Sequence, residues 1–379
     1  MNSAFARRPI GVGIIGLSAD GGWAAEAHLP ALAALDGFEL RALSASSKPS
    51  ARAAAAKYEV PLAFGSPEEL VQRDEVDLVV VTVKVPQHHS LVKTAVQAGK
   101  AVLCEWPLGN GLAEAEDLAA LAKTRGVPNF VGLQARSAPP IRYLRDLIIE
   151  GYVGRVLSTT VVGSGGVWGA TFSSKQSYLL DRNNGATMLT IPFGHTIDAL
   201  TMVMGEFSEL SATLGLRRRL VHDDATGEAA AMTAEDQVVV NGVLEDGTVA
   251  SIHYRGGHSR ATNFRWEISG TEGVLAVTGD SGFLEFGQVT LQGAHRDDTE
   301  LKELPLPDRY ETVPALAGDR TKMFYTVGHA YAQIRSDLNE GTRVIPDFAH
   351  AVHRHRMLDR IQHAATTGQR QYLPAKDNS

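Results

Sequence analysis

The sequence has 379 residues, of which 44% are hydrophobic and 21% charged, and its formal net charge is −7 at pH 7. A chain of this length is expected to form two domains, and the composition is typical of a soluble globular protein. No basic run extends beyond Arg217–Arg219, so direct binding of nucleic acid is not expected. The single cysteine, Cys104, excludes an intrachain disulfide and a multi-thiolate metal site, and its apolar surroundings predict a buried, inert thiol.

Nothing in the sequence predicts export or membrane insertion. Residues 1–9 carry two arginines but no apolar core, which argues against a secretory signal. No apolar run approaches the length that crosses a bilayer. We therefore expect a soluble, cytoplasmic protein with no membrane partner.

The chain is organised around a glycine-rich segment near its start. The apolar run Val12–Leu17 leads into a cluster of small residues, and an Ala-rich segment with helical spacing follows. The cluster comprises Gly16, Ser18, Ala19, Gly21 and Gly22. Strand, glycine turn and helix form the context of a dinucleotide-binding fingerprint, because small residues let the backbone approach a pyrophosphate. The turn from Gly16 to Gly22 is longer than the plain Gly-x-Gly-x-x-Gly pattern, but its context predicts a dinucleotide cofactor.

Strands and helices alternate from residue 10 to about residue 134. The near-continuous apolar run Val76–Val83 suits a parallel strand that is buried on both faces. Other predicted strands are Glu39–Ser44, Lys100–Glu105 and Asn129–Leu133, and predicted helices include His88–Ala98 and Leu112–Arg125. This alternation predicts an α/β domain at residues 1–134 with a Rossmann-type, doubly wound parallel sheet.

Beyond Gln134 the pattern changes to short strands separated by turns. The predicted strands are Val156–Val162, Leu210–Leu216, Gln237–Leu244, Thr248–Arg255, Asn263–Ser269, Gly273–Thr278 and Phe283–Phe286. Helices are predicted at Ile141–Glu150, Thr196–Met204, Met323–Asn339 and Asp347–Thr366. The pattern predicts a second domain at residues 135–379, of the α+β class, with a large open antiparallel sheet.

Three histidines in the last predicted helix raise the question of a metal site. His350, His353 and His355 have spacings of three and two, which do not place all three on one helical face. Arginines lie between them. We therefore predict a solvated, Arg-interleaved helix and no metal site.

The end of the second predicted strand bears on the choice between NAD and NADP. Folds of this kind usually place a carboxylate there to bind the adenosine ribose, but this chain has Ser44, Ala45, Ser46, Ser47 and Lys48. Hydroxyls and a cation can bind a 2′-phosphate, and no carboxylate is present to repel it. The sequence favours NADP, with NAD as the alternative.

Several strings together resemble the glucose–fructose oxidoreductase, inositol dehydrogenase and rhizopine-catabolism (Gfo/Idh/MocA) family. They are the glycine segment with His28–Ala31, Pro86–His89, Ala98–Leu108, Gly151–Gly154, Gly194–Asp198 and Gly270–Gly273. Further strings resemble the branch of that family that contains the fungal galactose-regulon repressor, a non-enzymatic member: Gly21–Ala24, Glu105–Trp106, Leu133–Ser137, Phe193–Asp198 and Gly279–Phe283.

The resemblance extends the set of expected cofactor contacts. Together with the glycine turn and the serines and lysine after the second strand, the expected contacts are Gly16, Leu17, Ser18, Gly21, Gly22, Trp23, Ser44, Ser46, Ser47, Lys48, His88, Glu105, Trp106 and Gln134. It also implies a homodimer or homotetramer, because family members commonly bury the outer face of the second sheet against another subunit.

The catalytic pattern departs from the one that the resemblance implies. Enzymes of the family use the lysine of a Glu-Lys-Pro motif and an Asp-x-x-x-His pair, whereas this chain has Trp106 at the lysine position and Ile191 at the aspartate position. Tryptophan cannot accept a proton. His195 matches the family histidine and is the best acid–base candidate, with Asp198 to orient it and Lys84 placed near the nicotinamide.

Three interpretations of the site stay open. In the first, His195, Asp198 and Lys84 carry out hydride-transfer chemistry on a sugar, cyclitol or related polyol. In the second, the pocket binds a sugar without turnover, through aromatic and polar side chains at Trp106, Gln134, Arg136, Trp168, Tyr178 and His195. In the third, an NADP-occupied regulator uses the pocket for a peptide partner. Fold analogy also allows a redox-neutral eliminase or glycosidase that uses the cofactor transiently.

Our leading hypothesis is an NAD(P)-dependent oxidoreductase that acts on a sugar or polyol. The alternative is a non-catalytic, NADP-binding regulatory or sugar-sensing protein.

Overall fold

The computed structural model describes residues 8–373. The prediction that no secretory signal is present rests mostly on residues 1–7, which lie outside this range. The described chain forms two compact units. The first comprises residues 8–137 and Glu311–His355, and the second comprises Ala138–Tyr310 and 356–373. Within the described range, no helix is both long and apolar enough to cross a membrane.

Strands and α-helices are numbered in the order in which the chain forms them. The strands are β1 (Ile10–Ile15), β2 (Phe38–Ser44), β3 (Leu62–Phe64), β4 (Leu78–Val81), β5 (Ala101–Glu105), β6 (Asn129–Gly132), β7 (Val156–Ser164), β8 (Thr171–Phe172), β9 (Phe207–Gly215), β10 (Leu220–Asp223), β11 (Ala229–Ala231), β12 (Gln237–Leu244), β13 (Val249–Arg255), β14 (Phe264–Gly270), β15 (Gly273–Gly279), β16 (Val289–His295), β17 (Lys302–Glu303) and β18 (Gln371–Tyr372). The helices are α1 (Leu29–Ala33), α2 (Lys48–Tyr58), α3 (Pro67–Val71), α4 (His88–Gln97), α5 (Leu112–Arg125), α6 (Pro139–Ile149), α7 (Pro192–Met204), α8 (Phe324–Glu340) and α9 (Phe348–Thr367).

The first unit contains a six-stranded parallel sheet in the order β3-β2-β1-β4-β5-β6. Every residue of β1 and β4 is buried, as expected for strands covered on both faces. The strand order reverses between β1 and β4, and a ligand of a doubly wound sheet binds beyond the carboxyl ends of the strands at such a point. The prediction of a Rossmann-type parallel sheet is confirmed.

The later stretch of the first unit contributes to the same hydrophobic core. Tyr331 and Ile334 of α8 are fully buried in one cluster with Val12 and Ile14 of β1. The main-chain N–H of Val131 in β6 donates to the carbonyl of Pro346 at 2.9 Å. Helix α8 is therefore part of what covers this sheet.

The second unit contains a nine-stranded sheet in the order β17-β16-β15-β14-β7-β13-β12-β9-β18. All neighbouring pairs are antiparallel except β7 and β13, which are parallel. A smaller sheet has the order β11-β10-β8. The predicted class, an α+β region with a large antiparallel sheet, is confirmed, with this parallel pair as an addition.

Two local predictions are wrong. Phe283–Phe286 forms no strand; Leu284–Phe286 is a 3₁₀ turn that ends at Gly287, whose φ of +68° stops an extended chain, and the strand begins later, at Val289. Helix α9 is not solvated throughout, because Arg354 is 0% and His355 4% exposed. Because arginine and histidine are usually exposed, the sequence predicted a solvent-exposed helix. In the structure, packing buries the helix face that carries Arg354 and His355.

Candidate functional site

Gly16 directly follows β1, and its place in the fold requires glycine. Its φ is +104°, and a Cβ atom there would lie 2.8 Å from Cγ1 of Val83 and 3.1 Å from Oγ1 of Thr82. Its N–H donates to the carbonyl of Ser44 at 3.0 Å. The turn therefore begins tightly against the ends of β2 and β4, next to buried Leu17.

The outer part of the glycine turn has open space beside it. Gly21 and Gly22 have φ values of +88° and +109°, and a Cβ atom on Gly22 would meet nothing within 4 Å. The carbonyl of Ser18 accepts a hydrogen bond from the Tyr58 hydroxyl at 3.2 Å, which holds the turn to α2. A fixed backbone with positive φ values and a free flank fits the close approach of a pyrophosphate.

The end of β2 presents polar side chains in different settings. Ser44 is buried, Ser46 and Lys48 are exposed, and the Ser47 hydroxyl accepts the N–H of Ser50 at 3.3 Å as the N-cap of α2. Nζ of Lys48 lies 3.7 Å from a carboxylate oxygen of Glu69. The stretch from 44 to 48 itself carries no carboxylate.

His88 joins the ends of β4 and β5. Its Nε2 lies 2.9 Å from the carbonyl oxygen of Val83, and its Nδ1 lies 2.7 Å from that of Pro107. Burial lowers the pKa of His88, although these two main-chain contacts act in the opposite direction. His88 thus fixes two loops that border the expected nicotinamide end. Lys84, beyond β4, is exposed.

Cys104 in β5 is fully buried, and burial raises the pKa of its thiol well above the ordinary value. The prediction of a buried cysteine is confirmed, and its raised pKa makes the thiol unreactive.

Trp106 follows β5 and is only 4% exposed. Its ring centroid lies 4.7 Å from that of His355, with 44° between the ring planes. Burial lowers the pKa of His355 to about 4, so this imidazole is neutral near neutral pH. Sequence reasoning placed His355 in solvent and missed this contact; no local pattern in α9 indicates it.

Two polar side chains of the first unit, Gln134 and His28, approach Glu105, the last residue of β5. Nε2 of Gln134 donates to Oε2 of Glu105 at 2.8 Å, and Nε2 of His28 lies 3.2 Å from Oε1. Arg136 is half-buried in the same 3₁₀ turn as Gln134. The first unit therefore brings the predicted cofactor residues to the carboxyl ends of neighbouring strands, together with Lys84 and Arg136.

The second unit carries His195 in the first turn of α7. Nε2 of His195 lies 3.9 Å from Oε1 of Glu285, and the side chains of both residues are 5% exposed. Asp198, one turn further along α7, is fully buried. A carboxylate at this distance stabilises the imidazolium that forms when the histidine accepts a proton. Sequence reasoning missed Glu285 because it assigned that stretch to a strand; the orienting role of Asp198 stays a prediction.

Trp168 and Tyr178 also belong to the second unit. Trp168 is 1% exposed, and its Nε1 donates to the carbonyl of Leu179 at 3.0 Å. Tyr178 is half-buried, and burial raises the pKa of its hydroxyl. Trp168 is thus held in the packing of this unit, and the sugar-binding roles of both residues stay predictions.

Residues 8–373 contain no group of three or more histidine, cysteine, aspartate or glutamate side chains that could hold a metal ion.

Comparisons with known proteins agree with this architecture. The model of an oxidoreductase family with an NAD-binding Rossmann fold, Gfo/Idh/MocA, matches residues 10–133, and the model of the Gal80p C-terminal domain matches residues 139–279. The dehydrogenase aclE of Aspergillus oryzae is 34% identical over 284 residues, which cover 72% of this chain and 77% of that protein.

Two further matches concern a regulatory protein. The galactose/lactose metabolism regulatory protein GAL80 of Saccharomyces cerevisiae is 29% identical over 373 residues, covering 89% of this chain and 85% of that protein. The crystal structure of a super-repressor mutant of Gal80p from the same yeast has a TM-score of 0.86 at 26% identity, covering 96% of this chain and 97% of that one.

The chain is thus a Rossmann-fold protein with a Gal80p-like second region, and it belongs to the Gfo/Idh/MocA oxidoreductase family. The relatives of the chain include a dehydrogenase and a galactose/lactose metabolism regulatory protein.

Proposed function

We propose that the chain is an NAD(P)-dependent oxidoreductase that acts on a sugar, cyclitol or related polyol. The observation that carries the proposal is the buried pair of His195 and Glu285, whose side chains approach to 3.9 Å. His195 accepts the hydroxyl proton of the substrate, and the Glu285 carboxylate stabilises the resulting imidazolium. The nicotinamide, when bound, supplies the acceptor for the hydride that leaves the same carbon.

The residues of the first unit fit a dinucleotide. The open flank of Gly22 and the positive φ values of the turn leave room for a pyrophosphate, and Ser46 and Lys48 at the end of β2 suit the adenosine ribose and a 2′-phosphate. Glu105, Trp106 and Gln134 would border the nicotinamide end. We expect tighter binding of NADP⁺ than of NAD⁺ in fluorescence titrations of the four tryptophans, and tighter binding of NAD⁺ would contradict this preference.

Activity is tested with a panel of sugars, cyclitols and sugar acids, each supplied with NADP⁺ or NAD⁺. Formation of reduced nicotinamide, followed by its absorbance, supports the proposal for any substrate that gives steady turnover. Tight cofactor binding with no turnover across the whole panel would contradict it. Tyr178 and Arg136, which are both partly exposed, are the side chains whose substitution we then expect to change KM.

A second candidate function is a dinucleotide-dependent regulator without turnover. Trp106 favours it, because at the position of the family's lysine it offers a buried ring packed on His355 and no proton-transfer group. Similarity to GAL80 over most of the chain supports the same candidate. If Trp106→Lys creates polyol oxidation that the wild type lacks, the natural protein is a binding protein rather than an enzyme.

We also propose that the outer face of the nine-stranded sheet joins a second copy of the chain. Val249, Val243, Glu209 and Tyr372 lie directly opposite one another on four adjacent strands, and Val249 and Tyr372 are 58% and 71% exposed. Light scattering after size exclusion should give a dimer or tetramer for the wild type and a smaller species for Val249→Asp. A monomeric wild type would contradict this assembly.

A further inference from the structure

His28 occupies a fully buried position just after the glycine turn. It is the last residue of a π-helical turn, Ala24–His28, that leads into α1, and its ring is 0% exposed. Nδ1 lies 2.8 Å from the Tyr331 hydroxyl, and Nε2 lies 3.2 Å from Oε1 of Glu105. Short π-helical turns are rare and are frequently found at functional sites.

Two side chains approach the carboxylate of Glu105, and one of them, Gln134, donates a hydrogen bond to it. Oε1 faces His28, and Oε2 accepts the hydrogen bond from Gln134 at 2.8 Å. On a third side, a Cβ atom added to Gly132 in β6 would lie 2.7 Å from Oε1, so the carboxylate packs closely against this glycine. We call Glu105, the two side chains that approach its carboxylate, His28 and Gln134, and Tyr331, which contacts His28, the Glu105 clamp.

A small cavity of about 10 Å³ lies against the clamp. Its polar lining consists of the clamp residues and Ser137, and Val327, Ala330 and Ile334 of α8 are among its apolar lining. Gln134 is 3% exposed, and within the described part of the chain its Oε1 atom has no hydrogen-bond partner. This volume is at the lower limit for a single water molecule, and a water there would satisfy Oε1 of Gln134.

The clamp links the two parts of the first unit that border the proposed dinucleotide site. His28 follows Gly22 by one short helical turn, and Glu105 immediately precedes Trp106. Strands β1 and β5 lie on either side of β4, so the 3.2 Å approach of Nε2 of His28 to Glu105 brings together side chains from either side of the β1–β4 switch point. A ligand that spans this point requires the spacing across it to be fixed.

We propose that the Glu105 clamp, completed by one buried water, positions the glycine turn and the end of β5 for a nicotinamide dinucleotide. His28 and Gln134 are then positioning residues that act through Glu105. This inference rests on dinucleotide binding by the first unit, the function proposed for it. It assigns no proton-transfer step to His28.

The same unit offers a matched control. His329 is also 0% exposed; its Nε2 lies 3.5 Å from Oε2 of Glu311, and its Nδ1 lies 2.8 Å from the Thr312 hydroxyl. His329 is therefore a second buried histidine that faces a glutamate and a hydroxyl, on an element of the same core, but it is not part of the clamp. A loss of packing or stability alone should affect His28 and His329 variants alike.

The experiment measures the Kd of NADP⁺ and NAD⁺ for the full chain by tryptophan fluorescence, together with the free energy of unfolding. We expect His28→Leu to weaken binding of the preferred dinucleotide about tenfold. His28→Gln, which keeps a donor toward Glu105, should recover most of this loss, and His329→Leu should change Kd by less than about twofold while lowering stability comparably. Equal Kd values for His28→Leu and the wild type would overturn the clamp, and so would equal losses in the His28→Leu and His329→Leu variants.

Two further measurements keep the test decisive. If His28→Leu does not fold, Tyr331→Phe removes only the hydroxyl that faces Nδ1 and should still weaken binding; an unchanged Kd in that variant overturns the clamp. A high-resolution crystal structure should show a water bonded to Oε1 of Gln134, and a dry cavity would overturn that part of the proposal. A wild type that binds neither dinucleotide refutes the proposed function itself, a result distinct from failure of the clamp.

Discussion

The first and second units contribute different kinds of groups to the proposed reaction. The first presents a turn with positive φ values, hydroxyls after β2 and the buried ring of Trp106. The second presents a buried imidazole and carboxylate, His195 and Glu285. The groups proposed to bind the dinucleotide thus lie on the first unit, and the proposed base with its carboxylate lies on the second. Substitutions at the proposed dinucleotide site of the first unit should therefore change dinucleotide binding, and substitutions at His195 and Glu285 should change turnover.

The largest effect is expected in the second unit. Replacing His195 with alanine removes the proposed base, so kcat for any polyol that the wild type oxidises should fall about 10²–10⁴-fold. The Kd of NADP⁺ should stay unchanged, since that unit supplies none of the proposed dinucleotide contacts. Glu285→Gln serves as the graded control, with a smaller loss. Steady-state kinetics that give the same kcat for His195→Ala and wild type would remove His195 from the mechanism.

In the first unit, the largest effect should come from Trp106. Truncation to alanine leaves a cavity beside His355, and we expect about 3–5 kcal/mol less stability in denaturant unfolding. Trp23→Ala is the matched control, because Trp23 is only partly buried and its loss should be smaller. If the two variants lose the same stability, the packing of Trp106 on His355 contributes little.

The burial of His355 should make the stability of the first unit depend on pH. The pKa of His355 is about 4 in the folded chain, against 6.5 for an unperturbed histidine, so the unfolded chain binds the proton more tightly. This contribution to stability is fully present above pH 6.5 and is lost as the pH falls toward 4, by about 3 kcal/mol. Unfolding measured across this range should show a shallower slope for His355→Leu than for the wild type. Parallel curves would contradict a buried, neutral His355.

The smallest of these effects concerns the glycine turn. Alanine at Gly16 or Gly22 must adopt a positive φ, which costs about 1–3 kcal/mol. Gly16→Ala should lose more stability than Gly22→Ala, because only its Cβ atom collides with Val83 and Thr82. Thermal unfolding ranks the two variants, and the reverse order would show that the turn has a different conformation. NADP⁺ binding should weaken in both.

The spacing of apolar residues predicted the regular helices and strands of both units well, because the buried face of each element repeats apolar residues at a fixed period. Helix α5 and strand β12 have the bounds that the sequence predicts, and the apolar run around β4 correctly predicted a strand buried on both faces. The short edge strands β17 and β18 were not predicted, because each has only two residues and two residues are too few to show a periodic pattern.

The partners of the site residues could not be predicted. The contacts of His28 with Glu105, of Trp106 with His355 and of His195 with Glu285 join residues far apart in the sequence. No local spacing encodes such pairs; they follow from strand order and helix packing. Gly16 and Glu105, which sequence analysis singled out, lie at strand ends, whereas no motif marked Glu285.

The return of the chain to the first unit after Glu311 has a consequence for its biosynthesis. Ile334 of α8 shares a core with Val12, and the carbonyl of Pro346 binds the N–H of Val131. During synthesis, more than 170 intervening residues, Ala138–Tyr310, are therefore made after the strands of the six-stranded sheet and before the helix that covers it. A nascent chain in that interval exposes apolar surface that chaperones can recognise, and such distant pairings slow folding. A fragment that stops at Ser137 should aggregate unless a peptide spanning 311–355 is supplied in trans.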